Sequence, residues 1–168
     1  IWCISYWKHL GEPKKIFLVE LGPGDGSLCE DMLSVFKKFP KFYNSIKIHL
    51  YEISSNLKKI QKSRKYGNKK VSWINKIQDI NSGPVIFLGN EFFDSLAIKQ
   101  LYKKNNFFFE KYVFLDKKRK KAKFVLKKAN KSIVSKIKKL KLANRAGVIE
   151  YPIKSINYLK KISKKINK

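Results

Sequence analysis

The chain has 168 residues and a formal net charge of +27, with 39 Lys and Arg residues against 12 Asp and Glu residues. Hydrophobic residues make up 43% of the chain and aromatic residues 14%, which is too apolar for an intrinsically disordered protein. No apolar run approaches the ~20 residues of a membrane-spanning helix, and two cysteines do not suggest a disulfide framework. We therefore expect one folded domain, residues 1–168, without a membrane span.

The positive charge is concentrated in the last third of the chain. Residues 1–110 contain 18 basic and 10 acidic residues, whereas residues 111–168 contain 21 and 2. Such a bias is typical of proteins that bind nucleic acid or anionic lipid. However, only three of the basic residues are Arg, the side chain that binds phosphate best, whereas Lys, Ile and Asn, which have adenine-rich codons, are abundant. Compositional drift therefore explains the charge better than binding, and we expect no specific nucleic acid partner.

After a predicted helix over residues 1–10, a strand is predicted at residues 16–19, an apolar run typical of a buried parallel strand. Glu20 lies at the end of this strand. A glycine-rich turn then leads into a helical pattern that ends at Pro40. A strand, a glycine turn and a helix in this order present backbone N–H groups and a helix N-terminus to a ligand. The turn has the spacing G-x-G-x-G and contains Gly22, Gly24 and Gly26.

A second apolar strand, Ile46–Tyr51, is followed by another acid, Glu52. A carboxylate at this position can accept two hydrogen bonds from the hydroxyl groups of a ribose. Either acid alone is equally well interpreted as a solvated strand end, but Glu20 and Glu52 together favour a nucleoside-containing cofactor. Ser54 or Ser55 is then a candidate N-cap for a helix. Leu57, Ile60 and Gln61 follow at helical spacing, and the predicted solvated face consists of Lys58, Lys59, Lys62, Arg64 and Lys65.

Two further strands are predicted at residues 71–73, which end in Trp73, and at Val85–Leu88. Three polar side chains, Asn90, Glu91 and Asp94, come directly after the fourth strand. Ligands of open α/β sheets bind beyond the carboxyl ends of the strands, so these three are candidate site residues. The alternative is that Asn90 and Asp94 cap the turn after the strand.

From Ile98 the pattern changes from α/β to antiparallel. Residues 107–115 and 122–127 flank a Lys-rich turn and predict a hairpin within a basic region, residues 98–146. Residues 128–146 are weakly patterned and helical at best. A last helix is predicted after Pro152, with an apolar face formed by Ile153, Ile156, Leu159, Ile162 and Ile166.

Three segments resemble consecutive blocks of the MidA-like family, also known as the mitochondrial complex I assembly methyltransferase family. They are VELGPGDGSL at residues 19–28, LYEISSNL at residues 50–57 together with Gln61, and GNEFFDSL at residues 89–96, the most specific of the three. The resemblance extends from about residue 1 to about residue 151. It implies an α/β fold: a Rossmann-like class I methyltransferase sheet with strands one to four present, an inserted antiparallel β-hairpin, and the C-terminal strands missing, so that the chain resembles a fragment of the family.

The resemblance also implies a function, the S-adenosylmethionine-dependent methylation of a protein arginine, with a link to respiratory complex I assembly. S-adenosyl-L-methionine is then the expected cofactor, and no metal is expected. In related methyltransferases the residue just after the third strand lies near the adenine, so Trp73 is a candidate for stacking there, and it is equally well interpreted as a core residue. The expected cofactor-binding residues are Glu20, Gly22, Gly24, Gly26, Glu52, Trp73 and Asn90, and the expected catalytic residues are Asn90, Glu91 and Asp94.

The chain departs from the family beside the cofactor turn, where Asp25 replaces the usual Arg and Ser27 the usual Thr. Asp25 reverses a charge and supports an alternative function, a non-catalytic assembly or binding factor on the same fold. A basic nucleic-acid-binding protein is a weaker alternative. The expected partner is a protein substrate, for which a complex I subunit is a candidate. The expected compartment is the cytoplasm for a bacterial source and the mitochondrial matrix for a eukaryotic one.

Overall fold

The structure, a computed structural model, describes residues 1–67, 69, 71–116, 118, 120–142 and 147–166. Lys117, Arg119 and residues 143–146, which belong to the predicted basic region, lie outside the described residues. The chain divides into two compact units, one formed by Ile1–Ser95 with Tyr158–Lys168 and the other by Leu96–Asn157. The expectation of a single domain over residues 1–168 stays a prediction, and each unit is described by itself.

The first unit contains a parallel sheet of four strands in the order β3-β2-β1-β4. The central strand β1 is buried at every residue, and its sequence is apolar except at Glu20. The order is that of a Rossmann-like half sheet, in which successive crossovers place strands on both sides of the first. The α/β class and the four predicted strands are therefore confirmed. The strands are β1 (Ile16–Leu21), β2 (Ile46–Tyr51), β3 (Val71–Ile74) and β4 (Val85–Leu88).

Four α-helices in this unit connect or precede the strands. The second helix ends at Phe36, and a separate short helix begins at Pro40, which sequence analysis had interpreted only as a stop. Pro is favourable in the first turn of a helix because the N–H it lacks would have no intrahelical partner there. The helices are α1 (Trp2–His9), α2 (Ser27–Phe36), α3 (Pro40–Ser45) and α4 (Ser55–Ser63), with a 3₁₀ turn at Ile77–Asp79.

One core cluster of the first unit lies on one face of this sheet. Leu18, Ile48 and Leu50 point into it from the strands and are at most 1% exposed. Each such side chain stabilises the fold by roughly 1.5–3 kcal/mol relative to exposure. The helices contribute Ile4, Trp7, Cys29, Leu33, Phe36 and Phe42 to the same cluster.

The second unit is built on an antiparallel sheet of four strands in the order β7-β6-β5-β8. The predicted hairpin corresponds to β6 and β7, but β5 and β8 were not predicted as strands. One helix, α5, supplies Ile133 and Ile137 to a small core around Leu101 and Phe108. The elements are β5 (Lys99–Lys104), β6 (Phe107–Asp116), β7 (Lys121–Lys128), α5 (Lys131–Lys139) and β8 (Val148–Tyr151).

The last helix, α6 (Ile153–Ile166), was predicted with an apolar face that is only partly buried. The predicted helix is confirmed. Ile162 is buried, whereas Leu159 and Ile166 are 53% and 58% exposed, so only part of the apolar face is buried. In the first unit the helix packs instead through Tyr158, whose hydroxyl lies 2.9 Å from that of Tyr51. None of the helices among the described residues is long and apolar enough to cross a membrane.

Candidate functional site

The carboxyl ends of the four parallel strands meet at one edge of the first unit's sheet. Leu21, Tyr51 and Ile74 are register neighbours at the ends of β1, β2 and β3. The backbone N–H of Gly22 donates to the carbonyl of Tyr51 at 3.0 Å. The glycine turn and the residues after β2 therefore lie together where open α/β sheets bind ligands.

Glu20 is a buried carboxylate near this edge. Its side chain is on the same sheet face as Leu50 and Trp73, its neighbours in register on β2 and β3. Glu20 is 2% exposed, and its Oε2 atom has no hydrogen-bond partner among the described residues. Burial raises the pKa of this carboxyl to about 7. Because a buried carboxylate without a partner is costly, it indicates a ligand with a cation or donor group.

The three glycines of the turn all have positive φ, between 57° and 86°, but their surroundings differ. A Cβ atom on Gly22 would lie 2.8 Å from the Phe92 ring, and one on Gly26 would lie 2.5 Å from the Tyr66 hydroxyl. Apart from its two neighbours in the chain, no described residue has an atom within 4 Å of a Cβ atom on Gly24. Gly22 and Gly26 are therefore required by packing, whereas Gly24 leaves the turn open on the side where a ligand can approach the backbone.

The carboxylate of Asp25 has a charged partner that sequence analysis missed. Arg64, predicted on the solvated face of α4, instead lies just beyond the helix and forms an ion pair with the carboxylate of Asp25. It also donates to the backbone carbonyl of Asp25 at 2.6 Å and to Glu30 at 2.9 Å. Asp25 in turn accepts hydrogen bonds from the backbone and hydroxyl of Ser27, which lower the pKa of its carboxyl together with Arg64. Arg64 and Ser27 thus both hold Asp25, and with it the glycine turn, in place.

Gln61 connects the glycine turn with the second and third strands. It is fully buried, whereas Ile60 beside it is 47% exposed. Its amide nitrogen donates to the carbonyl of Gly24 at 2.7 Å and lies 3.5 Å from Oε2 of Glu52. Its amide oxygen accepts from the indole nitrogen of Trp73 at 2.7 Å. Gln61 thus brings together three of the residues predicted to bind the cofactor.

Glu52 is buried as well, which excludes the interpretation that it is a solvated strand end. Its Oε1 atom accepts from the backbone N–H of Ser54 at 2.8 Å, and Ser54 caps α4 as predicted. Each carboxylate oxygen has a second lone pair, so Glu52 retains acceptor capacity for a ligand. Trp73 lies within β3 rather than after it, because the strand extends to Ile74.

The residues after β4 form an exposed turn. Asn90, Glu91 and Asp94 are exposed, and their side chains make no hydrogen bond or ion pair with another described residue. The hydrogen bonds of the turn come from Ser95, which donates from its hydroxyl to the carbonyl of Phe92 at 2.8 Å and from its N–H to Glu91 at 3.3 Å. The structure therefore gives no support to the alternative that Asn90 and Asp94 cap this turn.

Phe92, which sequence analysis did not assign, joins this turn to the glycine turn. It is buried, its ring lies against Gly22, and its centroid is 5.1 Å from that of Tyr158. The sequence signal was available, because Phe92 lies within the most specific segment of the family resemblance. Among the described residues, no group of three His, Cys, Asp or Glu side chains is arranged to hold a metal ion, and the expectation of no metal stays a prediction.

The chain is similar in sequence to two curated amphibian proteins. Mitochondrial protein arginine methyltransferase NDUFAF7 of Xenopus laevis is 37% identical over 160 residues, which cover 81% of this chain and 36% of that protein. The Xenopus tropicalis protein of the same name is 40% identical over 126 residues, which cover 61% and 29%. The chain thus spans about a third of the length of the curated relatives it matches.

A crystal structure of a Burkholderia thailandensis protein bound to S-adenosyl-homocysteine has a similar fold, with a TM-score of 0.67 and 18% identity. The match covers 88% of this chain and 38% of that one, and at this identity it supports the fold alone. A family model with the description "Putative S-adenosyl-L-methionine-dependent methyltransferase" matches residues 1–168. Because this model matches every residue of the sequence, the chain belongs to that methyltransferase family.

Proposed function

We propose that the protein containing this chain transfers a methyl group from S-adenosyl-L-methionine to an arginine side chain of another protein. The observation that carries the proposal is the buried Glu20 carboxylate, whose Oε2 atom has no partner among the described residues, next to a glycine turn that is open at Gly24. The family supports the cofactor, and the names of the curated relatives support the acceptor.

The residues at the sheet edge fit this cofactor. When bound, S-adenosyl-L-methionine supplies an electrophilic methyl group on a positively charged sulfur. We propose that Glu20 binds a positively charged group of the cofactor, because its buried carboxylate has no counter-ion among the described residues. Glu52 accepts hydrogen bonds from the ribose hydroxyl groups with its remaining lone pairs. Trp73 packs near the adenine. Gly22, Gly24 and Gly26 bring the backbone close to the cofactor. Asn90 forms a hydrogen bond with the bound molecule, either through its side-chain amide or through its backbone carbonyl, which accepts.

The exposed turn after β4 supplies the carboxylates that bind the arginine side chain to be methylated. Glu91 and Asp94 are exposed carboxylates three residues apart, and a guanidinium group can bind two carboxylate oxygens at once. Such a pair of contacts orients the nitrogen for in-line attack and excludes competing orientations. Methylation forms a carbon–nitrogen bond as the carbon–sulfur bond breaks, and the nitrogen loses a proton. We propose Glu91 as the acceptor of that proton.

Cofactor binding is the first test. Isothermal titration calorimetry on the intact protein should detect binding of S-adenosyl-L-methionine and of S-adenosyl-homocysteine, and Glu52→Gln should weaken both by about tenfold or more. An intact, folded protein that ignores both compounds at millimolar concentration would overturn the proposal.

The role of Glu91 is tested separately, by Glu91→Gln. Methyl transfer to protein arginine should be abolished, while cofactor affinity stays close to that of the wild type. Glu12→Gln is a matched control, because Glu12 is also exposed and also has a positive φ, 56° against 53° for Glu91. Unchanged turnover in Glu91→Gln would remove this residue from the mechanism.

Three finer proposals concern the target, the compartment and the second unit. We propose a subunit of respiratory complex I as the target, the mitochondrial matrix as the compartment for a eukaryotic source and the cytoplasm for a bacterial one. We also propose that the antiparallel sheet is an insert in a longer methyltransferase sheet, which the coverage of 38% of the similar crystal structure supports. The alternative, a non-catalytic assembly factor, loses its main support because Arg64 compensates the charge of Asp25.

A further inference from the structure

The side chain of Gln61 has a hydrogen-bonding pattern that few residue types can supply. Its nitrogen donates to the carbonyl of Gly24 and approaches Glu52, while its oxygen accepts from the indole of Trp73. These contacts require two donors and an acceptor within one planar group, which among side chains is the chemistry of a primary amide. A buried amide with these contacts is rigid, because every alternative orientation leaves a donor or an acceptor unpaired.

The contact with Glu52 matters most for a ligand. Apart from Gln61, the Glu52 carboxylate is held by the Ser54 backbone N–H on its other oxygen, at 2.8 Å. A carboxylate held at one oxygen can still rotate about its terminal bond. Gln61 adds the second contact, at 3.5 Å, and ties it to the glycine turn and to β3. Removing the amide should therefore free the carboxylate without altering its charge.

We propose that Gln61 is a positioning residue that fixes the Glu52 carboxylate relative to the glycine turn and Trp73, and thereby sets how strongly the site recognises ribose hydroxyls. This inference rests on the proposed function, because it takes the nucleoside of S-adenosyl-L-methionine as the ligand of Glu52. It adds a residue that acts through Glu52 and not by contact with the reacting atoms.

The test compares two ligands on the intact protein: S-adenosyl-homocysteine and its 2′-deoxy counterpart. The wild type should bind the ribose form about tenfold tighter or more, the value of a hydrogen bond to a charged group. In Gln61→Met, which keeps the volume of the side chain but removes the amide, the ratio should fall towards one. Gln78→Met is the matched control, because Gln78 is exposed on the 3₁₀ turn, and it should leave the ratio unchanged.

A double variant separates positioning from general stability. In a Glu52→Gln background, Gln61→Met should not change the ligand ratio further, because the group it positions is already altered. If Gln61→Met instead lowers both affinities equally and keeps the wild-type ratio, Gln61 has only a structural role and the inference is wrong. Should Gln61→Met fail to fold, Trp73→Phe is the second variant, which removes the indole donor together with one ring. The two ligands share the same adenine, so any lost adenine packing affects both alike. The ratio should therefore fall by a smaller factor than in Gln61→Met, and an unchanged ratio would also overturn the inference.

Failure of the proposed function gives a different result. In that case the wild type binds neither ligand, and the ribose role of Gln61 is refuted with it. The hydrogen bond itself has its own readout, because the Trp73 indole N–H should be protected from solvent exchange in the wild type and lose that protection in Gln61→Met. If the Trp73 indole N–H is protected but the wild type binds neither ligand, the hydrogen bond to Gln61 is present and the proposed methyltransferase function is wrong.

Discussion

The substitution Glu20→Gln should stabilise the protein at alkaline pH and lose that advantage in acid. Burial raises the pKa of Glu20 from 4.5 to about 7 in the folded state. The folded protein therefore holds this proton more tightly than the unfolded chain. The stability that protonation provides is fully present below pH 4.5 and is lost as the pH rises through about 7.

The magnitude follows from the two pKa values. At about 1.4 kcal/mol per pH unit, the interval between 4.5 and about 7 corresponds to about 3 kcal/mol. Glutamine has the same shape but does not ionise, so its own effect on packing is the same at every pH. The difference in unfolding free energy between Glu20→Gln and wild type should therefore rise by about 3 kcal/mol from pH 4.5 to pH 8 and level off above it.

Urea denaturation of the intact, ligand-free protein, followed by circular dichroism at a series of pH values, measures this difference. Glu110→Gln is the contrasting control, because Glu110 is also buried but is paired with Lys99. Its loss should destabilise the protein by about 1–3 kcal/mol at neutral pH, the cost of an unpaired buried partner. If the difference in unfolding free energy between Glu20→Gln and wild type stays constant from pH 4.5 to pH 8, Glu20 is not a desolvated carboxyl without a partner, and the argument is refuted.

Further predictions concern the same sheet edge. Cofactor affinity should rise with pH up to about 7 and then level off, because a cationic ligand favours ionised Glu20, and Glu20→Gln should make the calorimetric affinity independent of pH. Gly22→Ala should destabilise the protein by about 1–3 kcal/mol, because its Cβ atom would meet Phe92. In a Phe92→Leu background the same change should cost less in urea denaturation, and full additivity would contradict the contact. Asp25→Arg should weaken cofactor binding about threefold or more, and the exchange Asp25→Arg with Arg64→Asp should restore part of it. An exchange no better than the single variant would show that the ion pair does not hold the turn.

The parallel sheet was predictable because its signals are local. Ile16–Leu21 is buried at every residue and is apolar except at Glu20, and Ile46–Tyr51 has a buried apolar residue at every second position, so both strands stand out from the Lys-rich sequence around them. The acid at each strand end and the glycines between them then fix the edge at which a ligand binds. The second unit lacks such signals. The strand Lys99–Lys104 has four polar residues and one fully buried side chain, Leu101, so its pattern does not alternate clearly.

The supporting contacts of the site depend on distances that sequence does not contain. Gln61 and Ile60 are adjacent in a helix, and hydrophobicity alone assigns the isoleucine to the core, whereas the structure buries the glutamine. The reason is that Gly24 and Trp73 present a carbonyl and an indole N–H that only tertiary structure brings together. Arg64 was likewise misassigned, because its partner Asp25 lies 39 positions earlier in the chain.

The backbone conformation of Glu91 destabilises the fold, and the role proposed for its carboxylate would justify that cost. A glutamate with φ of 53° is in the left-handed region, which costs a residue with a Cβ atom roughly 1–2 kcal/mol. Glycine would remove that penalty at this position, together with the carboxylate. Laboratory evolution for heat resistance alone should therefore favour Glu91→Gly, and the more stable variants that it yields should have lost methyl transfer. At this position, thermal stability and the proposed methyl transfer therefore favour different residues.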